Sequence, residues 1–261
     1  MDGRWDRLEG LGVEGLREKH VVVVGLGSGG STVALELAKA GVGRFTLIDP
    51  DDLEVANLVR HECDDRYLGW NKAAAVSDLI LFRNPSAEVE VVRADAFSLG
   101  ERPLEIVADA DLVAGCTDVE PPKQLLNRLC LEAGVPAVYA GVYARGVGGE
   151  VMRCGDAPGD ACYACITWVL KDTTPAPPEE APDYGAGDRP VPALGLDVRL
   201  VALVHAKLCL LTLLGQEAAL PGNVVLFGTA AVEELFPRPF ASAFVSVAPQ
   251  DGCLVCGPVR A

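Results

Sequence analysis

The sequence is poor in positive charge and lacks any long apolar run. Its 261 residues include 22 Lys and Arg against 37 Asp and Glu, which gives a formal net charge of −15. This acidic excess argues against a protein whose main partner is nucleic acid or an anionic membrane surface, although it leaves room for one local basic pocket. No stretch approaches the ~18 uninterrupted apolar residues of a membrane-spanning helix, so we expect none.

The first residues of the sequence do not have the pattern of a secretory leader, and we expect none. Residues 1–18 carry charges throughout, whereas a leader has a charged start followed by an apolar stretch. We therefore expect a cytoplasmic protein, whose cysteines are free, catalytic or metal-bound rather than paired in disulfides. Hydrophobic residues make up 50% of the chain and its mean hydropathy is +0.25, which excludes intrinsic disorder.

Alternating apolar runs and helical segments predict an α/β fold. Four valines before Gly25 indicate a buried strand, Ser31–Gly41 a helix, and Phe45–Asp49 a second strand. The alternation continues to residue 142, which predicts a doubly wound, Rossmann-like, mostly parallel sheet with right-handed crossovers. Beyond it we predict strands at 149–154, 224–227 and 244–247 and a helix at 196–214.

The predicted organisation is one nucleotide-binding unit with an extension. Residues 1–19 form an N-terminal arm, 20–148 the nucleotide-binding Rossmann-like part, and 149–261 a C-terminal extension of the same domain. Within the extension, residues 171–192 contain six of the 18 prolines and five acids. This composition predicts an acidic crossover loop rather than a packed element.

A glycine-rich loop separates the first strand from the first helix. Gly25-Leu-Gly-Ser-Gly-Gly30 has the G-x-G-x-x-G pattern, in which glycines let backbone N–H groups approach a phosphate at a helix N-terminus. Asp49 follows 19 residues later at a strand end, where an acid would bond ribose hydroxyls. The pattern predicts a nucleotide site. The alternative is a tight strand-to-helix turn without a ligand.

Cations beyond Asp49 favour a triphosphate over a dinucleotide. Asn57 and Arg60 lie in a polar connector, and Lys72 lies at a helix start. A triphosphate with about four negative charges needs such cations. Asp118 ends a strand at the carboxyl edge of the sheet, where a carboxylate close to phosphates is typical of a magnesium ligand. The alternatives are solvated cations for Arg60 and Lys72 and a helix cap for Asp118.

These motifs together resemble the ThiF/MoeB/HesA superfamily, the bacterial relatives of ubiquitin-activating enzymes. The segments that carry the resemblance are GLGSGGS, LIDPDDLEVANLVRH, GWNK and GCTD, within a match from Val21 to Cys256. The resemblance implies that ATP and Mg²⁺ are used to adenylate the C-terminal carboxylate of a small ubiquitin-like or sulfur-carrier protein ending in Gly-Gly. Pyrophosphate is released.

The resemblance also assigns roles to single residues. It implies that Asp49 binds the ribose, that Asp118 binds the magnesium ion, and that Arg60, Lys72 and Asp118 are catalytic. The residues that it places around the phosphates are Gly25, Gly27, Ser28, Gly30, Asn57, Arg60 and Lys72. A homodimer is implied as well, and we expect neither a nucleic-acid nor a membrane partner.

Four of the nine cysteines form two C-x-x-C pairs, Cys162 with Cys165 and Cys253 with Cys256. Two such pairs suit one tetrahedral four-thiolate zinc ion. We therefore expect a structural zinc that ties the C-terminus to the segment after Met152. Redox dithiols and disulfides are the alternatives. The resembled family has the same pattern as a structural site.

No cysteine occurs in the crossover loop, where some members of the resembled family carry one that takes up the activated carrier as a thioester or persulfide. This absence favours an enzyme that only adenylates. Cys63 and Cys154 are the alternative nucleophiles. We expect the other cysteines and a lone histidine to be buried in the core: Cys116, Cys130, Cys209 and His205.

Four other functions stay open. One is a relative that adenylates a short peptide, and another is a tRNA-modifying cyclase, which the net charge of −15 disfavours. A nicotinamide dehydrogenase is a third, although no hydride-site acid is recognisable. The fourth is a zinc-stabilised nucleotide-binding scaffold without catalytic activity.

Overall fold

A computed structural model describes residues 3–95, 102–155, 159–173, 192–233 and 235–257. In these residues the apolar runs pair side by side into one sheet of eight strands. The strands are β1 (His20–Val24), β2 (Arg44–Ile48), β3 (Glu88–Val92), β4 (Leu112–Gly115), β5 (Ala137–Val142), β6 (Gly148–Cys154), β7 (Val224–Gly228) and β8 (Ser242–Val245).

The sheet is parallel in its first part and antiparallel in its second. The strand order is β3-β2-β1-β4-β5-β6-β7-β8, and all neighbours from β3 to β5 are parallel. The pairs β5–β6, β6–β7 and β7–β8 are antiparallel. The predicted Rossmann-like, mostly parallel α/β fold is confirmed. The carboxyl ends of β1, β2, β4 and β5 therefore meet at one edge, where open α/β sheets bind ligands.

Helices cover both faces of the sheet. They are α1 (Ser28–Ala40), α2 (Lys72–Arg83), α3 (Arg102–Ala108), α4 (Glu120–Ala133), α5 (Tyr163–Thr173) and α6 (Gly195–Leu213). The sequence predicts neither α3 nor α5, and it places the start of α1 three residues too late. It also predicts β8 at 244–247, two residues after its start at Ser242.

The valines of β1 show how the two layers are built. Successive side chains of a strand point to opposite faces, so Val21 and Val23 pack with one layer and Val22 and Val24 with the other. All four are nearly inaccessible to solvent, and each contributes about 1.5–3 kcal/mol of burial free energy. The first layer holds α1, α2 and α6, with Val201 and Ala202 of α6 in the same core cluster as Val33 and Ala34 of α1. The second holds α3, α4 and α5.

The predicted arm and crossover loop are described to different extents. The arm forms two short 3-10 turns, Asp6–Leu8 and Glu14–Glu18, and buries Leu16. Residues 174–191 of the crossover loop lie outside the described residues, so the loop and the domain boundaries stay predictions. Among the described residues, no helix combines the length and the apolar character that crossing a bilayer requires.

Candidate functional site

A large cavity opens at the carboxyl edge of the parallel strands. Its volume is about 1410 Å³. The predicted site residues that line it are Gly25, Gly27, Ser28, Asp49, Asn57, Arg60, Lys72 and Asp118. The cavity continues past the glycine loop to Gly141 and Tyr143 at the end of β5 and to Glu150 of β6. The fold therefore gathers eight predicted residues from separate segments around one space, and leaves room beyond them.

Gly30 is the predicted residue that does not line the cavity. A Cβ at this position would overlap the carbonyl oxygen of Gly25, so Gly30 lets α1 pack directly against the loop. Gly25 has φ +88°, and a Cβ there would lie 2.9 Å from the backbone of Cys116 and Thr117. Both positions need glycine for backbone geometry. Because α1 already begins at Ser28, its first turn lines the cavity, and the unpaired N–H groups of a helix N-terminus are suited to bind an anion.

Asp49 is buried and fixed by the backbone of two loops. Its Oδ2 accepts a hydrogen bond from the N–H of Leu26 at 2.6 Å, and its Oδ1 accepts one from the N–H of Asp51 at 2.9 Å. Burial raises the pKa of Asp49, while these two hydrogen bonds act in the opposite direction. A carboxylate has about four acceptor positions, so capacity remains for a ligand in the cavity.

The connector after β2 and the start of α2 bring the predicted cations to the cavity. The ammonium of Lys72 forms an ion pair with Asp51, with Nζ and Oδ2 2.8 Å apart. The guanidinium of Arg60 makes no ion pair or hydrogen bond with any residue that the structure describes. Asn57 uses its Oδ1 to accept the N–H of Glu54 at 2.9 Å, in a capping box. Of these three side chains, Arg60 is therefore the one most available to a ligand.

Asp118 lies in the exposed turn between β4 and α4, at the rim of the cavity. The N-cap of α4 is Val119 and receives no side-chain hydrogen bond, so the helix-cap alternative for Asp118 is wrong. Within the described part of the chain its carboxylate has no ion-pair partner. Hard carboxylate oxygens are the ligands that Mg²⁺ prefers, and the donor type of Asp118 fits that ion.

His61 holds the connector against the glycine loop, a role that sequence reasoning missed. Its Nε2 donates to the carbonyl oxygen of Leu26 at 2.7 Å, and its Nδ1 accepts the N–H of Cys63 at 3.0 Å. Burial lowers the pKa of His61, which keeps the ring neutral and this hydrogen-bond pattern intact. The sequence shows the histidine beside Arg60 but not its contact with Leu26, which is 35 residues away.

Lys123 of α4 is the second cavity residue that the sequence analysis missed. It is 7% exposed and lies in the buried stripe of the helix with Leu126 and Cys130. The signal that could have found it is a lysine at a position where the helical period calls for an apolar residue. His205 was predicted as a satisfied core histidine. It is 2% exposed, and its Nε2 bonds the carbonyl oxygen of Val138 at 3.0 Å.

The two C-x-x-C pairs come together in space. The four Sγ atoms of Cys162, Cys165, Cys253 and Cys256 all lie within 4.8 Å of one another. Three of their separations are 3.7, 3.8 and 3.6 Å. Four thiolates around one tetrahedral Zn²⁺ would be about 3.8 Å apart, given a Zn–S bond of about 2.3 Å. All four cysteines are free, so the donor set and spacing fit zinc and not a disulfide.

The two alternative nucleophiles are poorly suited to attack. Cys63 is 2% exposed, and burial together with the charges of Asp64 and Glu62 raises its pKa to about 12. Burial also raises the pKa of Cys154, which lies beside the four-cysteine cluster. Because the thiolate is the reactive form, these thiols are held in the unreactive state at neutral pH.

Comparison with known proteins identifies the family. The ThiF family profile matches residues 4–237, which is most of the chain. This chain belongs to the ThiF family. The SAMP-activating enzyme E1 of Haloferax volcanii is 30% identical over 225 residues, which cover 84% of this chain and 77% of that protein.

A second relative and a solved structure extend the comparison of this ThiF-family chain. The adenylyltransferase and sulfurtransferase MOCS3 of Anopheles gambiae is 30% identical over 224 residues, covering 84% of this chain and 48% of that protein. The chain thus spans about half the length of this relative. The crystal structure of Escherichia coli MccB with ATP superposes with a TM-score of 0.73 at 20% identity, covering 98% of this chain and 75% of that one. At that identity the likeness shows the fold.

Proposed function

We propose that the chain adenylates the C-terminal carboxylate of a small ubiquitin-like or sulfur-carrier protein, with ATP as the second substrate. The observation that carries the proposal is the large cavity at the carboxyl edge of the parallel strands in this ThiF-family chain. Around it the glycine loop, Asp49, Arg60, Lys72 and Asp118 converge. The names of its relatives, an adenylyltransferase and an activating enzyme E1, support this reaction class.

Different residues of the cavity bind different parts of ATP. The N–H groups at the start of α1 and the side chains of Arg60 and Lys72 hold the phosphates, and Asp49 holds the ribose. Asp118 would hold Mg²⁺, which when bound offsets part of the triphosphate charge. Together these groups orient the α-phosphate toward the part of the cavity that continues along β5 and β6.

The proposed chemistry needs no general base. The carrier's terminal carboxylate is ionised at neutral pH, since its pKa lies near 3.5. One of its oxygens forms a bond to the α-phosphorus, and the bond from that phosphorus to the pyrophosphate oxygen breaks. Two like charges 4 Å apart repel by about 4 kcal/mol near a protein surface, so charge compensation is the main task. Positioning and electrostatic stabilisation would therefore supply the catalysis.

The proposal extends to partners and location. We propose a carrier that ends in Gly-Gly, a homodimer, and action in the cytoplasm. We further propose a structural Zn²⁺ on the four cysteines and transfer chemistry performed by a separate protein. The absence of a cysteine from residues 171–192 supports that last point.

Carrier-dependent ATP–pyrophosphate exchange tests the function. Small proteins ending in Gly-Gly should stimulate exchange of labelled pyrophosphate into ATP, and Asp118→Ala should lower that rate on the order of 10²–10³-fold. Asp65→Ala, which removes an exposed acid outside the cavity, is the matched control and should exchange like the wild type.

Each alternative predicts a different result. Stimulation by short peptides and not by folded carriers would indicate the peptide-adenylating alternative. ATP binding without any exchange would indicate the scaffold. Unchanged exchange in Asp118→Ala would show that this residue does not hold the metal.

A further inference from the structure

Lys123 is a buried cation that the adenylation machinery described above does not use. It sits in the first turn of α4, where its side chain is 9% exposed although it lines the cavity. Taking an ammonium out of water is unfavourable unless anions compensate for the lost hydration. We therefore expect an anion close to the ammonium of Lys123.

The partner that the structure describes is a weak one. Among the described residues the ion pair of Lys123 is with Glu120, at 3.6 Å between Nζ and Oε1. The Glu120 side chain is 56% exposed, and its two oxygens also accept the hydroxyl of Tyr163, at 2.8 and 3.0 Å. An exposed carboxylate that is shared in this way offsets little of the cost of burying Lys123. The ammonium of Lys123 can therefore bind a second anion.

Lys123 also occupies a different part of the cavity from the phosphate cations. Lys72 pairs with Asp51 just beyond β2, next to Asp49, which bonds Leu26 of the glycine loop. The charge of Lys123 acts on Cys116 and His205, on the wall formed by β4 and α6. The remainder of the cavity, with Gly141 and Glu150, runs along the neighbouring strands β5 and β6. Lys123 thus stands between the nucleotide subsite and the space left for the second substrate.

We propose that Lys123 binds the terminal carboxylate of the substrate that is adenylated. The inference rests on the proposed adenylation and deepens it. A carboxylate that approaches the α-phosphate meets the negative charge of the triphosphate, and a cation on its own side of the cavity offsets that repulsion. The ammonium holds the attacking oxygen by a charge-assisted hydrogen bond without receiving or giving a proton. Lys123 would then discriminate a free C-terminus from a blocked one.

Binding of two synthetic peptides tests this role apart from turnover. The probes are a hexapeptide ending in Gly-Gly with a free carboxylate and the same peptide with a C-terminal amide. Each is titrated into the full chain with Mg²⁺ and α,β-methylene-ATP. The wild type should bind the acid about tenfold or more tightly than the amide. Lys123→Met should bind the two alike and keep its affinity for the nucleotide within about twofold.

Two variants sharpen the comparison. Lys207→Met removes a lysine from the exposed side of α6, outside the cavity, and should keep the wild-type preference for the acid. Glu120→Gln removes the competing carboxylate at an exposed position. It should strengthen binding of the acid peptide and leave the amide unchanged, and this gain does not depend on whether Lys123→Met folds.

Several results would overturn the proposal. They are an equal preference of the wild type for acid and amide, a preserved preference in Lys123→Met, or loss of nucleotide affinity in that variant. The last would assign Lys123 to the phosphates. Wild-type ATP–pyrophosphate exchange reports on the proposed function separately. Exchange that persists in Lys123→Met with an unchanged KM for the carrier would reject the role of Lys123 and leave adenylation standing.

Discussion

Single residues of the glycine loop differ in what the fold demands of them. Gly29 and Gly30 are neighbours in the first turn of α1, yet a Cβ at Gly29 meets nothing within 4 Å while one at Gly30 overlaps the loop backbone. The G-x-G-x-x-G pattern predicts both as parts of a phosphate loop. Packing separates them, since Gly30 faces Gly25 and Gly29 faces the cavity.

We therefore expect Gly30→Ala to destabilise the protein and Gly29→Ala to leave its stability unchanged or slightly higher. The loss for Gly30→Ala should be about 2–3 kcal/mol, because backbone must move to admit the new carbon. Urea unfolding of the two variants beside the wild type measures the difference. Equal unfolding midpoints for both variants would show that the loop backbone yields without cost.

The sequence predicted those site residues whose signal lies in a local pattern. The glycine loop, Asp49 at a strand end and Arg60 in the connector all stand in recognisable contexts, and the structure brings them together. His61 and Lys123 were missed because their roles depend on contacts with Leu26 and with the cavity, which sequence spacing does not encode.

At the scale of elements, long periodic segments were predicted better than short ones. The helix α6 and the strands β1, β2, β6 and β7 lie within a few residues of their predicted bounds. The seven-residue α3 is too short to show a period. The sequence analysis missed α5 because the pair Cys162 and Cys165 was interpreted as a metal-binding motif. In the structure Cys162 directly precedes α5 and Cys165 lies in its first turn.

The four-cysteine cluster joins the C-terminal segment to α5, and if it holds the proposed Zn²⁺, metal removal should release that segment. We expect about one Zn²⁺ per purified chain, lost in Cys253→Ser and retained in Cys209→Ala, which changes a buried cysteine of α6. Metal analysis measures the content. Limited proteolysis should cut residues 248–257 only after chelation. Full zinc content in Cys253→Ser would contradict the four-thiolate assignment.

At the scale of the whole molecule, an acidic chain of net charge −15 places four cations at one cavity: Arg60, Lys72, Lys123 and Lys171. The composition showed the acidic excess but could not show that these cations meet. Their convergence depends on the strand order, which brings the ends of β1, β2 and β4 side by side.

Acid should destabilise the fold, because all three histidines are buried and bind protons less readily in the native state than in the unfolded chain. Burial lowers the pKa of His20, His61 and His205, the last to about 4. Below pH 6.5 the unfolded chain binds protons at these histidines and the native state does not. The free energy of unfolding is therefore highest above pH 6.5 and decreases as the pH drops toward 4. His205 alone should account for about 1.5 kcal/mol between pH 6.5 and 5.

Urea unfolding at pH 7, 6 and 5 measures this dependence. His205→Gln keeps a donor for the carbonyl oxygen of Val138 but does not titrate, so its unfolding free energy should fall less steeply over the same range. A slope equal to that of the wild type would show that His205 binds protons as readily in the native state as in the unfolded chain, which would contradict the lowered pKa.

The position of α6 has a consequence for how the protein is made. This helix, Gly195–Leu213, shares a core cluster with α1, whose first turn lines the cavity. During translation the glycine loop leaves the ribosome some 170 residues before α6 does. The apolar side of α1 that packs against α6 is therefore exposed at first. The glycine loop and α1 therefore gain this packing partner only after α6 has been synthesised. The core around α1 is therefore completed by a helix that is synthesised late.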